Sequence, residues 1–311
     1  MIKLFTHTDL DGIGCAVLAT FAFSGLGVGI DIEYCNYDDI ESKVEEHFNN
    51  GSEIMCHITD ISISEELADK INNSNRMFQL LDHHATALNL NKFNWCNVQI
   101  ENKETHIKTS GTEMYYHWLI DNGCLKRSET LDKFVELIRD YDTWRLSTLG
   151  YDGAICKQVN DLLYIYGRKK FIDWCLYRLH YSTFPNLEHA DRLVLKIEQN
   201  NIDNYIKKKN EQMITVSLCG KTCGAVFAEK YFSELGNKLC QMNPEIDFVA
   251  MIDMNGTVSY RTVKDDINLG KDIAKLFGGG GHPKVAGSRF TSNINMEVIK
   301  GIFGCNVDFA L

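Results

Sequence analysis

The sequence predicts an α/β protein with a mostly parallel N-terminal sheet flanked by helices, a helical connector, and a smaller C-terminal α/β domain with a mixed sheet. Three observations predict this fold class. Short apolar runs alternate with helical patterns through the first third of the chain, which is typical of crossover units. Residues 153–212 are almost wholly helical in pattern. Strand-like segments return after them, and Asn255-Gly256 between two of these predicts a β-hairpin.

The N-terminal elements follow one another as strand and helix. Four apolar runs are predicted to be strands: residues 2–6, 30–34, 53–59 and 77–81. Helical periodicity or a helix start signal follows each of the first three, and the second helix covers residues 40–48. Ser64 is predicted to cap the third, because acids follow it in the first turn. Further helices are predicted over residues 112–120 and 129–141.

The remaining elements set the predicted domain bounds. The helical stretch ends in the basic run at residues 207–209, which we interpret as the solvated end of a connecting helix. Later strands are predicted at residues 214–218, 223–228, 248–254 and 257–263, with a helix over residues 231–241. The predicted division is a catalytic domain (1–190), a connecting helix (191–212) and a substrate-binding domain (213–311).

Composition and charge exclude several classes of protein. The 32 basic and 42 acidic residues give a formal charge of −10, so the basic face that grips long nucleic acid is not expected. All of this excess lies before residue 213, because residues 213–311 hold ten basic and ten acidic residues. The 11 cysteines are an odd number without a C-x-x-C pair, and neither a signal peptide nor a membrane span is recognisable. We therefore expect a cytoplasmic protein.

Acids and histidines gather where the predicted strands end. His7, Asp9 and Asp11 alternate after the first strand, so an extended segment would point them the same way. A polar turn before a helix is the alternative. Asp60 follows the third strand, where a helix cap or turn residue is the alternative interpretation. The fourth strand ends directly in Asp82-His83-His84.

Taken together, these positions predict a metal site. Parallel strands bring their carboxyl ends to one edge of a sheet, where such sheets bind ligands. Asp142, at the end of a predicted helix, completes the set, although a polar helix end is its alternative role. Six residues would fill two metal sites bridged by Asp60: His7, Asp9, Asp11, Asp60, His83 and Asp142. Oxygen and imidazole ligands favour manganese, with magnesium or cobalt as alternatives.

A glycine-rich segment in the C-terminal part predicts a phosphate site. Consecutive glycines allow close backbone approach and point N–H groups at an anion. The Arg261 guanidinium suits phosphate oxygens, and His282 adds a donor. A flexible turn is the alternative for the glycines alone. The candidate residues are Arg261, Gly278, Gly279, Gly280, Gly281 and His282.

The order of these motifs resembles the DHH phosphoesterases. His-x-Asp-x-Asp-Gly, a strand-end Asp, Asp-His-His and an Asp-Thr pair succeed one another, and Gly278 to Gly287 resembles the signature of the DHH-associated C-terminal domain. The resemblance is closest to the small oligoribonuclease members, which are related to RecJ. It implies that the six acids and histidines bind two manganese ions, that Asp82 and His84 assist catalysis, and that Arg261 contacts phosphate.

The resemblance also implies an activity, namely hydrolysis of short oligoribonucleotides or of linear or cyclic dinucleotides to mononucleotides by metal-activated water. A single-strand exonuclease on longer DNA or RNA and a pyrophosphatase-like phosphoanhydride hydrolase are alternatives within enzymes. A nucleotide sensor is the non-enzymatic alternative. The expected partner is a short nucleotide substrate, without a long nucleic-acid clamp or a membrane, and a homodimer is plausible for this family.

Overall fold

The computed structural model describes residues 1–51, 54–103, 105–145, 149, 151–290, 294, 298 and 301 of the 311-residue chain. The chain forms two compact units, Met1–Leu195 and Lys196–Leu311. The finer division into a catalytic domain, a connecting helix and a substrate-binding domain stays a prediction.

The first unit is built on a parallel sheet, as the alternating pattern predicts. Its strands are β1 (Ile2–His7), β2 (Ile30–Cys35), β3 (Met55–Thr59), β4 (Phe78–Asp82) and β5 (Cys96–Val98). They lie in the order β2-β1-β3-β4-β5, and every neighbouring pair is parallel. Residue 53, the predicted start of β3, lies outside the described residues. Strand β5 is not predicted from the sequence, because three residues are too few to show the alternation of apolar and polar residues that is typical of a strand.

Helices cover both faces of this sheet. They are α1 (Leu10–Gly25), α2 (Ile40–Asn49), α3 (Glu65–Asn72), α4 (Gly111–Asp121), α5 (Glu129–Asp142), α6 (Tyr151–Tyr166) and α7 (Arg168–His180), with a 3₁₀ helix at Ala85–Lys92. The next helix, α8 (His189–Gln212), begins in the first unit and continues into the second. Ser64 caps α3 as predicted, since its side chain accepts a hydrogen bond from the Leu67 N–H. The stretch predicted to be almost wholly helical, residues 153–212, forms three helices. It breaks at Gly167, where φ is +72°, and again before α8.

The core of the first unit consists of two clusters, which lie on opposite faces of the sheet. Consecutive strand residues point to opposite faces, and Leu4 and Phe5 of β1 accordingly join different clusters. The Leu4 cluster includes apolar residues of α1, α4, α5, α6 and α7. The Phe5 cluster includes those of α2 and α3. Because both faces of the sheet are buried, polar site residues are expected at the edge formed by the carboxyl ends of its strands.

The second unit contains the predicted mixed sheet. Its strands are β6 (Ile214–Leu218), β7 (Lys221–Phe227), β8 (Phe248–Asp253), β9 (Thr257–Arg261), β10 (Gly280–Gly281) and β11 (Val285–Arg289), and α9 covers Phe232–Met242. The order is β10-β11-β9-β8-β7-β6, in which β7 and β8 are parallel and the other pairs antiparallel. The predicted hairpin is confirmed, since Asn255-Gly256 joins β8 to β9 with Gly256 at φ +99°.

The cysteines in the described part of the chain are thiols outside any disulfide, and most are buried. They pack there as small hydrophobic residues. Among the helices that the structure describes, none combines the length and apolar character needed to cross a membrane. The cytoplasmic location stays a prediction.

Candidate metal centre

The register of the parallel sheet brings three candidate residues to one edge. Thr6 of β1 pairs with Thr59 of β3, and Thr59 pairs with Leu81 of β4. The residues that follow these three are His7, Asp60 and Asp82. They therefore lie side by side at the carboxyl ends of adjacent strands, as the sequence predicts.

Helix α1 adds Asp9 and Asp11 to this edge. Asp9 caps the helix, and its Oδ1 accepts a hydrogen bond from the Gly12 N–H at 3.1 Å. Gly12 is required at this crossing, because a Cβ there would lie 2.2 Å from the His7 carbonyl oxygen. The buried Asp11 carboxylate accepts the Gly111 and Thr112 N–H groups at 2.6 and 2.9 Å. A carboxylate at the N-terminus of α4 is favoured by the helix dipole.

Asp60 lies between two groups of acids and histidines. On one side, its Oδ2 is 3.9 Å from His7 Nδ1, which lies 2.8 Å from Asp9 Oδ2. On the other side, its Oδ1 is 3.1 Å from His83 Nε2, which lies 3.6 Å from both Asp11 Oδ2 and Asp142 Oδ2. We call these six residues the acid–histidine cluster. The structure thus brings together all six predicted metal ligands.

Two atoms of the cluster fit a cation rather than a hydrogen bond. Within the described residues, His7 Nδ1 and Asp60 Oδ2 are buried without a hydrogen-bond partner. Buried polar atoms are rarely left unpaired, because the lost hydration costs about 1–3 kcal/mol. His7 Nδ1 faces Asp9 closely, yet the two groups are not aligned for a hydrogen bond. Imidazole nitrogen and carboxylate oxygens directed at one point are a suitable set for a divalent cation.

The structure distinguishes Asp142 from Asp140. Asp140 Oδ1 accepts hydrogen bonds from Arg139 and Arg145, at 3.1 Å from Arg139 Nη2 and 2.7 Å from Arg145 Nη1. Asp142 lies one half-turn later, at the end of α5, where its carboxylate faces His83. Asp140 is therefore neutralised within the fold, whereas Asp142 joins the cluster.

Burial and mutual repulsion shift the pKa values of these acids. Burial, followed by the charges of Asp11 and Asp9, raises the pKa of Asp60 well above its ordinary value and that of Asp142 to about 8. Burial alone would also raise the pKa of Asp9, but the charge of the His7 imidazole, 2.8 Å away, holds it below the ordinary value. Acids that resist ionisation in the metal-free fold are those that a cation would stabilise.

Metal-free protein should lose stability through this cluster as the pH rises from about 4 to about 8. The pKa of Asp142 is 3.8 in its ordinary state and about 8 when folded, so the folded state binds more protons between these values. The free energy of unfolding therefore falls as pH rises through this window. Thermal unfolding with chelator at about pH 5.5 and 8.5 measures this loss. Asp142→Asn should show a smaller fall in melting temperature, and the exposed Asp121→Asn should behave as wild type. Equal falls in all three proteins would contradict the prediction.

Asp82 and His84 form a hydrogen-bonded pair beside the cluster. The fully buried Asp82 places its Oδ1 2.7 Å from His84 Nδ1, and its Oδ2 accepts the Ser62 hydroxyl. Hydrogen bonding to Asp82 raises the pKa of His84 above its ordinary value. The Tyr37 hydroxyl lies 3.1 Å from His84 Nε2. Sequence reasoning does not single out Tyr37, because it follows β2, whose end carries no acid or histidine.

The candidate phosphate residues lie near one another in the second unit. Arg261 at the end of β9 pairs with Val285, whose carbonyl accepts the His282 N–H at 2.7 Å. Gly278 and Gly281 have φ values of +69° and +140°, which favour glycine. Gly279 packs so closely that a Cβ would lie 2.0 Å from the Gly287 carbonyl oxygen. The glycines thus form a fixed turn and short strand, with Gly280, Gly281 and His282 exposed.

Four other residues from the sequence have clear positions. His57 is core, since it is fully buried with Nδ1 2.7 Å from the Tyr115 hydroxyl. Ser110 caps α4, since its side chain accepts a hydrogen bond from the Glu113 N–H. Trp144 is 78% exposed and so is not core. Lys284, close in sequence to the glycine-rich segment, forms an ion pair with Asp265 at 2.6 Å.

Known proteins resemble this chain over nearly its whole length. Comparison with protein-family models gives no match. The chain is 34% identical over 302 residues to oligoribonuclease NrnB of Bacillus subtilis, covering 94% of this chain and 74% of that protein. It is 25% identical over 346 residues to a 3′,5′-cyclic-nucleotide phosphodiesterase of Helicobacter pylori, covering 95% of each. The crystal structure of exonuclease RecJ bound to manganese has a similar fold, with a TM-score of 0.61 and 11% identity over 99% of this chain and 90% of that one.

Proposed function

This chain belongs to the DHH phosphoesterase family, and on that premise we propose that it is a manganese-dependent phosphodiesterase that converts short oligoribonucleotides or dinucleotides to mononucleotides. The predicted family and the predicted enzyme class, a hydrolase of phosphoester bonds, are confirmed by the relative that is 34% identical. The cation, the roles of individual residues and the size of the substrate are the proposed part.

The observation that carries the proposal is the position of Asp60 between the two groups of the cluster. One cation would be held by His7, Asp9 and Asp60, and the other by Asp60 together with Asp11, His83 and Asp142. This arrangement is supported by the two unpartnered atoms and by the mixture of oxygen and imidazole ligands, which suits manganese. Bound cations would supply an activated water and neutralise the oxygens of the scissile phosphate.

The pair of Asp82 and His84 would position a proton beside that phosphate. The ionised Asp82 carboxylate accepts the Nδ1–H of His84 and raises the pKa of His84, which favours an imidazolium whose Nε2 also carries a proton. Asp82 itself is held by the backbone N–H of His83 at 2.8 Å and by the Ser62 hydroxyl. We therefore assign His84 the contact with a phosphate or leaving-group oxygen, for which its Nε2–H would exchange the Tyr37 hydroxyl for that oxygen, and Asp82 the orientation of His84.

The second unit would bind a phosphate of the substrate. Arg261 offers a guanidinium, which also donates to the Tyr260 carbonyl and the Ser233 hydroxyl. The exposed Gly280, Gly281 and His282 lie on the turn that leads to Val285, the strand partner of Arg261. The neutral charge of residues 213–311 leaves these groups unopposed by an overall negative field. Short oligonucleotides are favoured over a long polymer by the relative that is named an oligoribonuclease and by the net negative charge of residues 1–212.

The activity should depend on manganese and on a short nucleotide. Purified protein is incubated with the RNA dinucleotide pApA, with cyclic di-AMP and with 3′,5′-cyclic AMP, in the presence of manganese or of chelator. We expect AMP from pApA with manganese, and a decrease of at least 10³-fold with chelator, because metal-assisted stabilisation is worth several kcal/mol. The 3′,5′-cyclic AMP tests whether this chain acts on the class of substrate for which the Helicobacter relative is named. If none of the three is hydrolysed with manganese, the proposed function is wrong.

A further inference from the structure

Tyr37 lies at the exposed border of the acid–histidine cluster. It belongs to the loop between β2 and α2, and 64% of its surface is exposed. Its ring centroid lies 5.1 Å from that of His7 and 6.0 Å from that of His84. The ring is therefore next to one residue of the cluster and to the histidine assigned to the phosphate.

A continuous hydrogen-bonded chain holds this ring in place. The buried Asp82 binds His84 Nδ1 at 2.7 Å, and His84 Nε2 lies 3.1 Å from the Tyr37 hydroxyl. Because the hydroxyl is engaged, the exposed part of the residue is mainly the aromatic ring. An aromatic ring that is already fixed loses little conformational freedom when a ligand packs against it.

A recess of about 230 Å³ opens beside the ring. Its walls include Tyr37, Ser62, Glu65, His84 and Asn89. This volume lies below the roughly 300–1,000 Å³ of pockets that enclose a drug-sized molecule. It therefore suits one part of a nucleotide rather than a whole oligonucleotide.

We propose that Tyr37 is the stacking platform for the base of the nucleotide whose phosphate lies at the acid–histidine cluster, a role that rests on the proposed function. Within one nucleotide the base is separated from the phosphate by a single sugar, so a phosphate beside His7 and His84 brings the base to this ring. Stacking of a base on an aromatic side chain is worth about 1–3 kcal/mol and tolerates any base, since every base has a π-face. Tyr37 would thus bind short substrates without reading their sequence.

Two variants distinguish the contribution of the Tyr37 ring to substrate binding from that of its hydroxyl. Tyr37→Leu removes the stacking surface, and we expect its KM for pApA to rise roughly 5- to 150-fold, which is the stacking energy converted at 1.36 kcal/mol per factor of ten. Tyr37→Phe keeps the ring, and its KM should stay within about threefold of wild type. Tyr177, which is 57% exposed on α7, offers a matched control, and Tyr177→Leu should leave KM unchanged.

An abasic substrate distinguishes stacking from support of His84. A dinucleotide of the same backbone without bases should be cleaved with the same kcat/KM by wild type and by Tyr37→Leu. If the leucine variant loses as much activity on the abasic substrate, or if Tyr37→Phe is impaired as severely as Tyr37→Leu, the stacking role is wrong and Tyr37 only supports His84.

A binding experiment judges Tyr37 independently of turnover. Equilibrium dialysis measures AMP binding to wild type, Tyr37→Phe and Tyr37→Leu with manganese present. We expect the leucine variant alone to bind AMP at least fivefold more weakly. Unchanged AMP binding would overturn the inference about Tyr37, whereas absence of hydrolysis of all three nucleotides by wild type would overturn the proposed function.

Discussion

Replacement of Asp60 by asparagine should abolish hydrolysis without unfolding the protein. Both Asp60 oxygens face the candidate cation positions, one towards His7 and the other towards His83. An amide keeps the shape of the carboxylate but removes its charge and one ligand oxygen, so we expect manganese-dependent turnover of pApA to fall on the order of 10³-fold. Asparagine also tolerates the left-handed backbone at this position, where φ is +58°.

The stability of Asp60→Asn separates loss of metal binding from loss of fold. In chelator, the variant should melt at or above the wild-type temperature. The reason is that asparagine replaces a buried carboxyl group whose ionisation the fold disfavours. Addition of manganese should raise the melting temperature of wild type clearly and that of Asp60→Asn much less. Asp121→Asn, an exposed aspartate at the end of α4, should match wild type in activity and in both melting temperatures. Wild-type turnover by Asp60→Asn would exclude Asp60 as the bridging residue.

The strand ends are the part of the site that the sequence predicts well. Parallel strands present their carboxyl ends at one edge, so an acid or histidine after each of β1, β3 and β4 is enough to expect that they meet. The motif order then leads to the correct family without any structural information. The helix that contributes Asp142 is different, because periodicity gives only its length, and the choice of Asp142 over Asp140 rests on the threonine that follows Asp142. Only the three-dimensional position of Arg139 and Arg145 shows that Asp140 is neutralised elsewhere.

Tyr37 and Gly111 are two residues of the site whose roles could not be predicted from the sequence. Tyr37 reaches the cluster through the packing of a loop after β2, and no local pattern records that contact. Gly111 reads as an ordinary residue in the first turn of a helix capped by Ser110. Its function depends on how closely α4 approaches β3 and α1, a distance that neither propensity nor spacing determines. Close approach of separate elements therefore sets the limit of the sequence-based prediction.

Replacement of Gly111 by alanine should disable the site by displacing α4 from Asp60 and Asp11. A Cβ there would lie 2.5 Å from Asp60 Cβ and 3.1 Å from Asp11 Oδ2, so α4 or the Asp60 turn must move. Movement of α4 also lengthens the hydrogen bonds that the Gly111 and Thr112 N–H groups donate to Asp11. A shift of about 1 Å at a catalytic site costs on the order of 10²-fold in rate, and we expect that loss in kcat/KM for pApA.

The control for Gly111→Ala is Gly25→Ala, because nothing lies within 4 Å of a Cβ added at Gly25, the last residue of α1. Alanine there should leave kcat/KM unchanged and leave stability equal or slightly higher, since alanine favours a helix over glycine. Gly111→Ala should also weaken the manganese-induced rise in melting temperature, because both displaced acids belong to the cluster. If Gly111→Ala lost activity while that rise stayed at its wild-type size, α4 would support substrate binding rather than the metal ligands. Wild-type kcat/KM in Gly111→Ala would instead mean that α4 can move away from Asp60 without disturbing the cluster.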